Sequence, residues 1–148
     1  MRRKKIWFYI SLFLVLSTLF LLITGSSMLT IPLDKNNAVP SGTFITWIGI
    51  ISLPLTIYWG VKELRHPSTL FNKFLALMLV VMIILAVLWV PICYLLSGNI
   101  SFSFSEKDSF QGGQLAMRWF WRFSYSVALG PILLLIAYWI SLLWRKRT

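Results

Sequence analysis

Carboxylates are nearly missing from this sequence: Asp34, Glu63, Glu106 and Asp108 are the only four, against fourteen lysines and arginines. A paired general acid and base needs two titratable groups close together. Only Glu106 and Asp108 meet that spacing, and the surrounding SEKDS reads as a solvated turn. The single histidine, His66, directly precedes Pro67 in a short polar stretch, which excludes two-histidine haem ligation and histidine-rich metal sites within one chain. It reads as a turn residue. The lone cysteine, Cys93, rules out an intramolecular disulfide. It lies in an apolar run near Pro91 and Tyr94, where a thiolate is disfavoured, so it reads as a packing group. Gly112 and Gly113 lack the following basic and hydroxyl residues of a phosphate loop. These absences predict a protein that is not an enzyme, with no catalytic residue, metal or cofactor.

What fills the chain instead is apolar length. Apolar residues make up 58% and charged residues 12% of the 148, away from the soluble balance of about half and a quarter. Four runs, at 6–23, 44–61, 74–96 and 123–144, contain no Asp, Glu, Lys or Arg. Each is close to the roughly 20 residues that a helix needs to cross a hydrocarbon core. The fold class expected is therefore all-α integral membrane: one domain, 1–148, forming a four-transmembrane-helix bundle with spans near 6–24, 43–61, 72–96 and 122–144. The start, MRRKK before an apolar stretch and TGSS, has the layout of a secretory signal. Its 18-residue run exceeds the usual signal core of about 7 to 15, which favours a retained span. No internal repeat or domain boundary is visible.

The net charge of +10 is distributed by segment. Arg2, Arg3, Lys4 and Lys5 precede the first run, Lys62, Arg65 and Lys73 separate the second from the third, and Arg145, Lys146 and Arg147 follow the fourth. By the positive-inside rule these segments face the cytoplasm and both termini are inside, in a plasma membrane or bacterial inner membrane. The basic excess is then topological, and no nucleic-acid partner is expected.

Within the runs, small residues mark expected helix-packing faces: Gly49, Ser52, Thr56 and Gly60 in the second, Ser126, Gly130, Ala137 and Ser141 in the fourth. The third run is bulkier and is expected to offer a broad face to lipid or a partner. Pro54, Pro91 and Pro131 fall inside runs, where each frees a carbonyl that a neighbour must satisfy. They predict kinks and, at Pro91, an early loosening of the outer end; a transport site is less favoured because no ionisable group accompanies them. In loops 1 and 3, Leu29, Ile31 and Leu33, and Ile100, Phe102 and Phe104, alternate as strands do and could pair in a small two-stranded outer sheet. The competing reading has these side chains dipping into the headgroup layer. Asn99-Ile100-Ser101 matches a glycosylation sequon.

One polar cluster stands out. In QGGQLAMRWFWRFSYSVALGP, Arg118 and Arg122 are four residues apart, and the same step reaches Ser126 and Gly130, so the arginines are expected to lean toward the bundle at its outer end. Trp119, Phe120, Trp121, Phe123 and Tyr125 around them resemble an interfacial aromatic belt. The favoured reading is anchoring, with the guanidinium groups snorkelling to lipid phosphates or pairing with Glu106, Asp108 or Asp34. The sharper reading is an anion, headgroup or partner site made by Arg118, Arg122, Trp119 and Trp121.

The expected function is a non-catalytic accessory, assembly or interaction subunit that binds a larger membrane partner, lipids, or both. The alternative is a small homo-oligomeric transporter or channel with an outer anion-attracting vestibule. A lipid-processing enzyme using Glu106, Asp108 and the arginines is a third, weaker reading.

Overall fold

The computed structural model describes residues 2–33, 39–102 and 110–145. Among these the chain is helical: α1 (Arg2–Ile23), a 3-10 turn (Ser27–Thr30), α2 (Ser41–Gly60), a one-turn α3 (Lys62–Arg65), α4 (Leu70–Val87), α5 (Trp89–Ser97) and α6 (Gly113–Arg145). Four of them, α1, α2, α4 and α6, are long and apolar enough to cross a membrane.

Two boundaries differ from the sequence expectation, each for a local reason. The third run is one apolar stretch, yet its helix breaks at Leu88 between α4 and α5. Pro91 has no N–H to give the carbonyl of Val87 and its ring crowds that carbonyl. The indole of Trp47 supplies the missing donor, reaching the carbonyls of Ala86 at 3.0 Å and Val87 at 3.2 Å. The break is thus held by a side chain from α2. By contrast, α2 and α6 stay helical through Pro54 and Pro131. The fourth helix starts at Gly113, nine residues before the expected 122, because Gln114-Leu115-Ala116-Met117-Arg118 are good helix formers with no breaker among them. At 33 residues α6 is about 50 Å long, well beyond a hydrocarbon core of about 30 Å.

The ends carry ordinary signals. Thr69 caps α4 by accepting from the Asn72 N–H at 3.2 Å. Gly98 closes α5 in the left-handed region at φ 75°, its N–H returning to the Tyr94 carbonyl at 2.8 Å, a geometry that a side chain would oppose.

No strand forms among the described residues, so the possible pairing of loops 1 and 3 is not seen among them. Leu29 lies in the 3-10 turn, and the chain after it pairs with its own return through an isolated bridge of Pro32 with Pro40. The bonds are Leu33 N–H to the Val39 carbonyl and Ser41 N–H to the Ile31 carbonyl, both 2.8 Å. Two prolines at the bridge leave no donors to extend a ladder. In loop 3, the Ile100 carbonyl accepts from the Thr43 hydroxyl at 2.6 Å, and Phe102 adopts φ 45°, which a regular strand does not allow. Phe104 lies outside the described residues.

Packing divides into a three-helix centre and one peripheral helix. α2, α4 and α6 contact one another, and α5 packs chiefly on α6. α1 packs on α2 and the 3-10 turn; among the described residues it has no backbone-level contact with α4 or α6. The α1–α2 contact is the most extensive in the molecule. It is antiparallel, with Gly49 against Thr18 and Gly60 against Phe8. Ser52 is buried near the middle of this face, and Thr56 returns its hydroxyl to the Ser52 carbonyl at 2.8 Å. The answering stripe on α1 is Ser11, Val15 and Thr18, all buried. Small side chains let the backbones close where the surrounding medium provides no hydrophobic drive.

Two buried clusters sit at opposite ends. Ile57, Leu64, Leu75, Leu79 and Tyr138 form one beside the α2–α4 connection. Trp89, Cys93, Phe102 and Phe120 form the other, where Trp89 donates to the Ser124 hydroxyl at 2.9 Å.

Candidate functional site

At the end of the molecule holding the second cluster, α6 rises out of the packed interior. Arg118, Arg122 and Ser126 are exposed, so this face turns outward rather than toward the other helices. The expected inward lean fails because the buried side of α6 is set by Phe120, Val127, Pro131 and Tyr138, a stripe displaced from the arginines. Gly130 is only half-buried, against Met82 of α4. Ala137 packs on the first cluster, and Ser141 donates to the Tyr138 carbonyl at 2.7 Å. The four small residues of α6 thus meet different neighbours.

The arginine cluster itself is open. The Arg122 guanidinium lies 5.7 Å from the centre of the Trp119 ring, within cation–π range, and Trp119 and Trp121 are both exposed. Trp121 stacks on Tyr125 at 5.7 Å. Asp34, Glu106 and Asp108, the expected salt-bridge partners, lie outside the described residues.

Below the arginines, an apolar groove of about 460 Å³ runs between α1, α2 and α6. It exists because α1 closes on α2 and not on α6. Val15, Thr18 and Leu22 form one wall, Tyr125, Leu129 and Ile132 the other, and Thr46 and Leu53 the back. Thr46 Oγ1 is buried there without a hydrogen-bond partner. On α6 the residues at 118, 122, 125, 129 and 132 follow a helical step of three or four, so the arginines lie along the same strip as the groove wall.

The opposite end holds a site that the sequence reading missed. A cleft of about 520 Å³ is formed by the start of α1, the end of α2 and the α3 turn. Lys4, Lys5, Lys62, Arg65 and His66 supply its basic groups, and Phe8, Tyr9 and Trp59 its apolar wall. The Arg65 guanidinium lies 5.8 Å from the Trp59 ring centre, and its Nε and Nη1 are buried without a hydrogen-bond partner. Glu63, one turn away on the same short helix, is engaged instead by the Asn72 amide at 3.1 Å. The basic runs were legible one by one; their convergence was not, because it requires the antiparallel α1–α2 register that places Phe8 beside Gly60.

Among the described residues no group of three or more His, Cys, Asp or Glu side chains gathers into a possible metal site. Cys93 is buried, with its sulfur 3.8 Å from the Ser124 hydroxyl. Among the described residues, the two sites offer apolar contact and clustered positive charge. Comparison with protein-family models, curated proteins and solved structures finds no match to this chain.

Proposed function

We propose that the protein is a four-span integral membrane subunit, a four-helix bundle with α1 as its peripheral member, whose work is binding rather than catalysis: it joins a larger membrane partner, with lipids filling its remaining apolar surface. Both termini and the α2–α4 connection face the cytoplasm, in keeping with the ten basic residues those segments hold out of fourteen. Arg118 and Arg122 then stand at the outer headgroup level.

The observation that carries the partner reading is the free face of α4. Leu70, Phe71, Phe74, Leu77, Val80, Val81, Ile84 and Val87 are all exposed and form one broad, bulky apolar face. Such a face gives a second membrane helix bulky side chains to interlock with by van der Waals packing. α4 also contributes inward-facing Leu75 and Leu79 to the buried cluster, so its outer face is presented by a helix packed into the bundle on its other side.

Gentle detergent extraction from the native membrane, followed by native mass determination, tests the reading. The expected result is a stoichiometric foreign membrane protein, lost when Leu77 and Ile84 are replaced by Ala and kept when Leu133 and Ile140, exposed on α6, are replaced in the same way. A monomer carrying lipid alone, or loss that is equal for the two pairs, overturns it.

A further inference from the structure

The basic cleft at the start of α1 has a composition that general membrane attraction does not require. Surface lysines suffice to draw a protein to anionic lipid, and they do so from solvent. Here one cation, Arg65, is drawn inward against Trp59, with Nε and Nη1 removed from water and given no acceptor. A guanidinium donates five N–H bonds and accepts none, so a positive charge enclosed in this way against Trp59 is offset by an anion held among the basic groups of the cleft. Glu63 does not relieve those two nitrogens; it accepts from Asn72. Among the described lining residues, Lys4, Lys5 and Lys62 add charge of the same sign, and no carboxylate is present. Like charges converge at a cost that a shared counter-ion offsets.

Shape limits the anion. The cleft is about 520 Å³, and its walls are Phe8, Tyr9 and Trp59, which excludes a purely hydrated ion shell on that side. A tetrahedral oxyanion bears acceptors in several directions and suits donors arriving from two helices and a turn, whereas one carboxylate presents only a planar pair. We infer that this cleft is a phosphate site, with Arg65 as its central ligand and Lys4, Lys5 and Lys62 closing around the same group. The phosphate belongs to the headgroup of an anionic phospholipid or to a soluble phosphate compound; both sources share this chemistry. The membrane-spanning reading bears only on which source applies. The partner-binding reading is independent of it.

The experiment uses full-length, delipidated protein in detergent, with two probes in separate arms: dioctanoyl phosphatidylglycerol, followed by native mass spectrometry, and inorganic phosphate, followed by calorimetry. Dioctanoyl phosphatidylcholine is the zwitterionic control. Arg65→Gln is expected to weaken the responding probe about tenfold, a charge-assisted hydrogen bond being lost along with the charge. Lys4→Gln with Lys5→Gln, both exposed at a helix start, should weaken it without any question of folding. Lys73→Gln, exposed outside the cleft, should leave it unchanged. Response to the lipid with none to phosphate assigns a headgroup; response to both assigns the phosphate group alone. Equal losses for Arg65→Gln and Lys73→Gln would mean diffuse surface potential and would overturn the site, as would no response to either probe or binding of phosphatidylcholine as tight as that of phosphatidylglycerol.

Discussion

Placing a methyl group at Gly49 probes how α1 is held. A Cβ built there lies 2.7 Å from Thr18 Cβ and 2.8 Å from Thr18 Oγ1, with Thr18 Cγ2 closer still. Thr18 has little freedom to yield, because it is buried, β-branched and donates to the Ile45 carbonyl at 3.3 Å. Gly49→Ala must therefore push the two backbones apart, and overpacking of this kind costs about 1 to 3 kcal/mol. Since α1 has α2 and the 3-10 turn as its neighbours, the strain should detach α1 and spare the α2–α4–α6 centre. Two readouts separate these cases. In a Cys93→Ala background, Val15→Cys, buried in the α1–α2 contact, should react slowly with a maleimide and at least several-fold faster once Gly49→Ala is added. Detergent-driven unfolding followed by tryptophan fluorescence should show a lower midpoint. Thr18→Gly deletes all three opposing atoms, so it should rescue Gly49→Ala. The intrinsic helix cost of that glycine, about 1 kcal/mol, cancels in a double-mutant cycle, leaving a coupling equal to the relieved overpacking, about 1 to 3 kcal/mol. Additive effects, or an unchanged labelling rate in Gly49→Ala, would refute the reasoning.

The break between α4 and α5 supports a second prediction: Trp47→Phe removes the donor to the Ala86 and Val87 carbonyls and should destabilise by about 1 kcal/mol, whereas in Pro91→Ala, where the backbone can supply its own donor, the same change should cost clearly less. An equal cost in both backgrounds, measured by detergent unfolding, would show that Trp47 acts by packing alone. For orientation, single cysteines replacing exposed Ser27 and Ser68 in a Cys93→Ala background should differ in intact cells, Ser27→Cys reacting with an impermeant maleimide and Ser68→Cys only after lysis. The reverse pattern would invert the proposed topology.

Arg118 and Arg122 show where reading along the chain stops. Their spacing correctly places both on one helical face, but which face is buried depends on neighbours that the spacing does not name. Phe120, fixed by an edge contact with Phe110 at 5.0 Å and a tilted one with Phe102 at 5.6 Å, turns the opposite side inward. In Gly49 and Gly60, the small-residue face was visible as a pattern; its partner on α1 was not, because Ser11 and Thr18 look unremarkable inside an apolar run.

Span number, approximate span length and the segregation of basic charge were determined by the sequence itself. Those properties depend on transfer from water to hydrocarbon and on charge near a membrane surface, which are nearly additive along a chain. The free edge of α1, the groove it leaves against α6, the outward turn of the arginine face and the convergence of Lys4, Lys5, Lys62 and Arg65 were decided by the tertiary structure. Each of these depends on which side chains interlock between helices distant in sequence, and that is a property of pairs and triples of residues rather than of any one stretch.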